Sequence, residues 1–166
     1  MDGINFYMKN VTAKESNFRN IENSFVSEFT KDNITYKSYM RYSKCTGLEA
    51  KGKPKNIYTE SFPDSNELVV YMPSVVHRDS TDVVFTFLFI GEEKQKVYDN
   101  FYNYIKDSEI YYYDTKRLKK VKLLLLDAVT PTEDNYKGSI NYLSADFKFK
   151  NIRGFSENCD ENGATV

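Results

Sequence analysis

The chain has 166 residues, a length that suits one domain with a single core. Its 23 basic and 24 acidic residues leave a net charge of −1, so no field of one sign attracts nucleic acid or an anionic membrane. Aromatic residues make up 16% of the chain, with 14 Tyr and 12 Phe, a composition typical of half-buried strands and protein interfaces.

Two cysteines, Cys45 and Cys159, form neither a disulfide framework nor a Cys-x-x-Cys metal pair, which favours a reducing compartment. The sequence from Met1 to Tyr7 has no basic segment followed by an apolar run, and no window approaches a membrane-spanning length. We therefore expect a protein that is neither secreted by a signal peptide nor inserted in a membrane.

The first third of the chain predicts short elements. Residues 4–9 are typical of a strand, and residues 33–42 alternate apolar and polar side chains with a period of two, as in a half-exposed strand. Between them, Phe18, Ile21 and Phe25 have the spacing of one helix face. The Asn and Ser residues around them compete for backbone hydrogen bonds, so an irregular arm is an equal alternative.

Residues 46–66 are the longest predicted loop, because two Gly, two Pro and several charged residues surround isolated apolar ones. A hairpin with a long mobile tip is the alternative. Residues 67–72 then predict a strand, which Pro73 ends by removing a ladder donor. The length of this loop makes it the first candidate for a functional role.

The segment from Val83 to Ile90 predicts the central strand. Phe85, Phe87 and Phe89 lie on one face, and the opposite face is also apolar, so we expect an interior strand covered on both sides. A helix over about 92–106 follows, with acidic residues at its amino end, where the helix dipole favours them.

Three further strands are predicted near 109–113, 119–127 and 139–150, the first two joined by a polar turn as a hairpin. Residues 156–166 are too polar to pack and are expected to form a disordered tail. The predicted fold is α+β and mainly β: an antiparallel β-sandwich or barrel-like sheet with one flanking helix. It forms a single domain over residues 1–155.

The sequence offers no set of catalytic residues. His77 is the only histidine and lies in a loop, and the carboxylates Asp127, Glu133 and Asp134 lack the spacing of a calcium loop. The isolated glycines do not form a phosphate-binding loop. We therefore predict a protein that is not an enzyme, with no catalytic residue, cofactor or metal.

One dense basic run, residues 116–120, lies beside the aromatic run Tyr111 to Tyr113. Cations next to aromatic rings can bind single-stranded nucleic acid, so a binding module for nucleic acid, peptide or carbohydrate over 111–120 is the alternative function. A charged hairpin turn that protects a sheet edge explains the same residues.

An interior strand, one helix, a hairpin and a closing strand follow one another in the second half of the chain. They are Val83 to Ile90, Glu92 to Lys106, Tyr111-Tyr112-Tyr113-Asp114, Val121 to Asp127, and Tyr136-Lys137-Gly138 leading to Phe147-Lys148-Phe149-Lys150-Asn151-Ile152. This succession resembles the tail-tube and distal-tail proteins of long-tailed bacteriophages and related contractile systems. The resemblance implies a β-sandwich with one flanking helix that assembles into hexameric rings, a long loop that reaches the adjacent ring, and no catalytic residues.

From this resemblance we expect a structural subunit of a phage or prophage tail, present in the virion or, during assembly, in the bacterial cytoplasm. Its partners are further copies of itself, in a homo-oligomeric ring such as a hexamer, and other tail proteins, with no membrane and no nucleic acid. The candidate interface residues lie in the long loop and on a Tyr-rich sheet edge: Lys53, Lys55, Ile57, Tyr58, Phe62, Tyr111 and Tyr113.

Overall fold

The computed structural model describes residues 6–136, 138 and 140–166. Two helices lie in this part of the chain, α1 (Ile21–Ser24) and α2 (Lys94–Ile105). The strands are β1 (Tyr7–Asn10), β2 (Arg19–Asn20), β3 (Val26–Lys31), β4 (Ile34–Thr46), β5 (Tyr58–Ser61), β6 (Leu68–Tyr71), β7 (Thr81–Ile90), β8 (Glu109–Asp114), β9 (Lys119–Leu125), β10 (Thr132–Tyr136), β11 (Ile140–Asn151) and β12 (Glu157–Asn158).

Ten of the described strands form one antiparallel sheet, in which the order β2-β1-β8-β9-β11-β7-β4-β3 is joined by β10 beside β11 and β12 beside β9. The sheet curls into a half-barrel. The strands β5 and β6 form a separate hairpin. The predicted α+β, mainly β class is confirmed, and so is the flanking helix, because α2 lies within the predicted range 92–106.

The core lies between the concave face of the sheet and α2. Phe87 on β7 and Phe147 on β11 are both fully buried. The ring of Phe101 on α2 lies 5.2 Å from each of them, edge-on to both. Edge-to-face packing adds roughly 0.5–1.5 kcal/mol per pair to the burial of each ring. The alternating aromatic residues of the two central strands therefore hold the helix on the sheet.

Gly91 ends β7 with φ of 120° and allows the chain to turn into α2. A Cβ at this position would lie 2.4 Å from Ser38 Oγ on β4. The Glu93 backbone N–H donates to that same oxygen at 2.8 Å, so Ser38 satisfies an N–H at the start of the helix. The turn and the sheet therefore fix where the helix begins.

The amino-terminal part is closer to the irregular arm than to the alternative of one helix carrying Phe18, Ile21 and Phe25. α1 is a single turn. Asn20 Oδ1 accepts from the Asn23 N–H at 3.3 Å at its amino end, and β3 begins at Val26, directly after it. Ile21 is fully buried and Phe25 nearly so, as the helical spacing predicted, but they reach the core from a short turn. The predicted strand 4–9 corresponds to β1, although residues 4 and 5 lie outside the described residues.

The expected cover on both faces of β7 is wrong. The residues of its convex face, Val84, Leu88 and Ile90, are half-buried, whereas Phe85, Phe87 and Phe89 are fully buried on the concave face. Antiparallel sheets commonly leave one face solvated, and here the apolar residues of that face are shielded only in part.

The predicted disorder of residues 156–166 and the domain boundary at residue 155 are also wrong. β12 pairs with β9, and the Cys159 N–H donates to the Leu118 carbonyl at 2.9 Å. The Tyr113 hydroxyl donates to the carbonyls of Asp160 and Glu161, each at 3.1 Å. The segment packs through hydrogen bonds to its backbone, which the polarity of its side chains does not reveal.

Candidate functional site

The most unusual surface of the molecule is the hairpin formed by β5 and β6. We call residues 56–76 the arm. Its strands pair from Tyr58 opposite Tyr71 to Ser61 opposite Leu68. The hairpin alternative for the predicted loop is therefore correct, although the hairpin extends beyond residue 66 and β4 continues to Thr46.

Both faces of the arm carry exposed apolar side chains. Cross-strand partners share a face, so Tyr58 and Tyr71 lie on one face while Val70 and Leu68 lie on the other. Tyr58 is 71% exposed and Leu68 is 57% exposed. The two strands pack on each other and make no substantial contact with other described strands or helices. An isolated two-stranded hairpin is only marginally stable in water, so the arm lacks a second layer that would stabilise it.

The arm also carries a distinct charge. Glu60, Asp64 and Glu67 give it a charge of −3, because residues 56–76 contain no Lys, Arg or His. The whole chain has a charge of −1, so the remainder carries −1 − (−3) = +2. An acidic, apolar arm therefore projects from a weakly basic body.

The arm is fixed to the body at its root, which we define as residues 52–55 and 77–79. The Lys55 N–H donates to the His77 carbonyl at 2.7 Å, and the Asp79 N–H donates to the Lys53 carbonyl at 2.9 Å. The Gly52 N–H donates to the Gly154 carbonyl at 2.9 Å, which ties the root to the chain beyond β11. The arm therefore leaves the body in a fixed direction.

A groove of about 400 Å³ lies beside the root, and we call it the root groove. Its lining residues are mostly cationic or apolar: Lys55, Val76, His77, Arg78, Ile152, Arg153 and Phe155. Phe155 is 43% exposed, so the groove has an apolar wall open to solvent. Arg78 donates to the Gly52 carbonyl at 3.0 Å, while Arg153 forms an ion pair with Glu157. The groove can receive an acidic, apolar segment.

The candidate interface residues are divided between exposed and covered positions. Lys53, Lys55, Tyr58 and Phe62 are exposed and Ile57 is half-buried, all in the arm or its root. The predicted Tyr-rich edge is wrong, because β8 lies between β1 and β9 inside the sheet.

The two tyrosines predicted for that edge are both covered. Tyr113 is buried beneath the carboxyl-terminal segment. Tyr111 is half-buried, with the ammonium groups of Lys9, Lys120 and Lys122 within 5.9 Å of its ring centre. Neither ring offers the free contact area that the prediction required.

The basic run at 116–120 is largely engaged within the chain. Lys120 is buried, and its Nζ donates to the Gly163 carbonyl at 3.1 Å. Arg117 forms ion pairs with Glu49 and Asp114. A cavity of about 270 Å³ lies between this turn and residues 48–51, with both acidic and basic groups in its wall. The arrangement lacks the continuous positive groove that a nucleic acid requires.

The carboxylates that were considered as metal ligands or as an acid pair take part in separate ion pairs. Asp127 pairs with Lys148 and Glu133 with Lys94, each at 3.5 Å. Within residues 6–136, 138 and 140–166, no group of three His, Cys, Asp or Glu side chains is placed to hold a metal ion.

The remaining reactive side chains also lie apart. His77 is exposed at the root. Burial raises the pKa of the Cys45 thiol to about 12, although Arg117 opposes the shift, so this thiol stays protonated near neutral pH.

Sequence reasoning missed three residues of the root groove. Arg78, Arg153 and Phe155 each look like ordinary loop residues, and Arg153 is 98 positions from Lys55 along the chain. The approach of residue 154 to residues 52 and 79 brings these segments together. The three lysines at positions 51, 53 and 55 are the sequence feature that indicates a basic surface beside the arm.

No protein-family model matches the chain, and no curated protein is significantly similar to it. No helix in the part of the chain that the structure describes is long and apolar enough to cross a bilayer.

Proposed function

We propose that this protein is a non-catalytic structural subunit that assembles with further copies of itself through the arm, as a ring component of a phage or prophage tail. The observation that carries the proposal is a hairpin with exposed apolar side chains on both of its faces. Contiguous exposed apolar surface marks a site of protein interaction.

Burial of the arm provides the driving force for assembly. Tyr71 and Met72 are 51% and 61% exposed, and Leu68 on the opposite face is 57% exposed. Full burial of a large apolar side chain contributes about 1.5–3 kcal/mol. A few such residues offset part of the translational and rotational entropy that association costs. An arm that contacts a neighbouring subunit on both faces therefore gains what the isolated hairpin lacks.

The assembly is inferred to be homotypic for two reasons. The arm is acidic while the rest of the chain is basic, so one copy offers a complementary surface to the arm of another. The succession of strands and helix that resembles the tail-tube and distal-tail proteins supports a ring, in which a long loop reaches an adjacent copy. The exposure of Tyr58 and Phe62, both expected at such an interface, is consistent with this role.

Binding of a nucleic acid, peptide or carbohydrate at residues 111–120 is the second candidate. The cavity of about 270 Å³ beside Arg117 favours it. The ion pair of Arg117 with Glu49 and the burial of Lys120 weigh against it, because a ligand would have to displace groups that are already satisfied.

Replacement of residues 56–76 by a short Gly-Ser linker tests the proposal. We expect the wild type to grow into rings or larger species with concentration in light scattering, and the linker variant to remain a folded monomer. A matched control, Lys31→Ala and Lys37→Ala on the hairpin of β3 and β4 at the far end of the sheet, should assemble as the wild type does. A wild type that stays monomeric to millimolar concentration and binds an oligonucleotide in a salt-dependent way would promote the second candidate.

A further inference from the structure

The tip of the arm and the root carry opposite charge. The acidic groups Glu60, Asp64 and Glu67 lie at or near the turn, which we call the tip, together with the exposed Phe62. Lys53 and Lys55 lie at the root, on the other side of β5. The arm is therefore acidic at its tip and joins the body at a basic root.

The root groove adds further cations to that positive end. Lys55, Arg78 and Arg153 face two carboxylates, Asp79 and Glu157, which leaves an excess of positive charge with His77 neutral. The Lys55 Nζ lies 3.8 Å from Asp79 Oδ1, and both side chains are more than half exposed. Such an exposed pair contributes little energy, so an incoming carboxylate can replace it.

Resting on the proposed function, we infer that the tip of one copy's arm binds in the root groove of the next copy. The carboxylates of the tip face Lys55, Arg78 and Arg153, and the Phe62 ring packs against Phe155. An exposed aromatic side chain and a groove with an aromatic wall form the kind of central apolar anchor, surrounded by charge, that stable interfaces use.

The occupant of the groove is a second copy because the tip cannot reach its own root. β5 separates Lys55 from Phe62, and seven extended residues span roughly 23 Å. Pairing of two arms with each other is opposed by their equal charges of −3. The acidic tip therefore meets the positive groove of another molecule.

The contact joins two different surfaces and is therefore heterologous. Such contacts generate closed rings when the rotation between copies closes, and helical filaments when it does not. Each subunit inserts its tip into the root groove of one neighbour and binds the tip of the other neighbour in its own groove. Every arm in a closed ring is therefore covered. This arrangement deepens the proposed function by naming the surface that receives the arm.

Complementary charge reversal tests the contact. The tip variant carries Glu60→Lys, Asp64→Lys and Glu67→Lys; the groove variant carries Lys55→Glu and His77→Glu. All five side chains are exposed, so both proteins should keep the wild-type melting curve and circular dichroism spectrum. We expect each variant alone to associate at least about tenfold more weakly than the wild type. An equimolar mixture should regain association, because each reversed surface then meets an opposite one.

A third variant, Lys31→Glu with Lys37→Glu, changes two exposed cations on the hairpin of β3 and β4, at the opposite end of β7 from the root, and serves as the control. It should assemble as the wild type does and should not rescue the tip variant. High salt should weaken the wild type and the rescued mixture alike.

The possible results separate the two proposals. Loss of assembly in the tip variant with normal assembly of the groove variant overturns the root groove as receptor and leaves the arm as the assembly element. Two weakened variants that do not rescue each other also overturn this pairing. A wild type that remains monomeric at millimolar concentration, or a linker variant that assembles normally, overturns the proposed function and this contact together.

Discussion

The arm and the carboxyl-terminal segment behave in opposite ways. The arm contains Tyr58, Phe62 and Leu68, and all three are exposed. The segment 156–166 is polar, yet Cys159 is buried and the backbone pairs with β9. The arm is the more apolar of the two regions, yet it is the less buried. The polar segment is covered because its backbone pairs with the ten-stranded sheet, whereas the strands of the arm pair with each other and their apolar side chains stay exposed.

The largest effect on stability is expected in the core, which serves as the reference for the arm and the carboxyl-terminal segment. Phe87→Ala should lower the free energy of unfolding by about 3–5 kcal/mol, because it removes a fully buried ring from the contact between β7 and α2. Denaturant titration measures the change. A loss under about 1 kcal/mol would mean that the concave face of the sheet is not the core.

The next largest effect is expected at high pH, which should lower the free energy of unfolding. Burial raises the pKa of Cys45 to about 12 and also raises the pKa of Tyr104 and Tyr112. The unfolded chain therefore loses these protons before the folded one does, so stability is complete below about pH 8.5 and falls as pH rises toward 12. We expect a progressive loss of stability as pH rises from about 8.5 to 12, which chemical denaturation across that range would show. A flat profile would contradict the burial of these groups.

Truncation after Phe155 tests whether the polar segment contributes to stability. The change removes the hydrogen bonds made by Tyr113 and Lys120 and uncovers both side chains. A hydrogen bond to a charged group is worth roughly 1.5–3 kcal/mol, and water replaces part of it, so we expect a loss of about 2 kcal/mol. If the truncated protein unfolds at the wild-type denaturant concentration, the segment is frayed in solution.

The arm should respond in the opposite way to the core. Tyr71→Ala, on the exposed hairpin, should change the stability of the monomer by less than about 0.5 kcal/mol while reducing assembly in light scattering. Phe87→Ala is the matched aromatic substitution at a covered site. A destabilisation of the monomer comparable to that of Phe87→Ala would mean that the arm folds back onto its own body.

The smallest effect is expected for His77→Ala. The side chain is exposed and the root is held by backbone hydrogen bonds, so stability should stay within about 0.5 kcal/mol of the wild type. Assembly should also be unchanged, because the positive charge proposed to bind the tip comes from Lys55, Arg78 and Arg153. A large loss of function in any assay would reopen a catalytic role.

The sequence predicted the elements that have strong periodicity. The central strand, the helix and the closing strand correspond to β7, α2 and β11, and the inward residues Phe147 and Phe149 are fully buried. The apolar residues of these segments recur with the period that one buried face requires. The local pattern and the final packing therefore agree.

Other features depended on contacts between distant segments. The single turn of α1 follows from Asn20, whose side chain caps the helix, and from Glu22, which accepts from the Tyr42 N–H at 2.8 Å. The position of β8 inside the sheet follows from its pairing with β1, nearly a hundred residues earlier. The arm was recognised as a candidate by its length, but the groove beside it required the approach of residue 154 to residue 52.

The attachment of the arm has a consequence for the shape of any assembly. A Cβ at Gly52 would lie 1.7 Å from the Asp79 carbonyl oxygen, and one at Gly154 would lie 2.1 Å from the same atom. The two glycines therefore set the angle at which the arm leaves the body, while neither lies on the arm. In the proposed assembly, small changes here would rotate each subunit relative to the next. Over a closed ring such rotations would add up, so these two positions would set the number of subunits and the diameter of the ring.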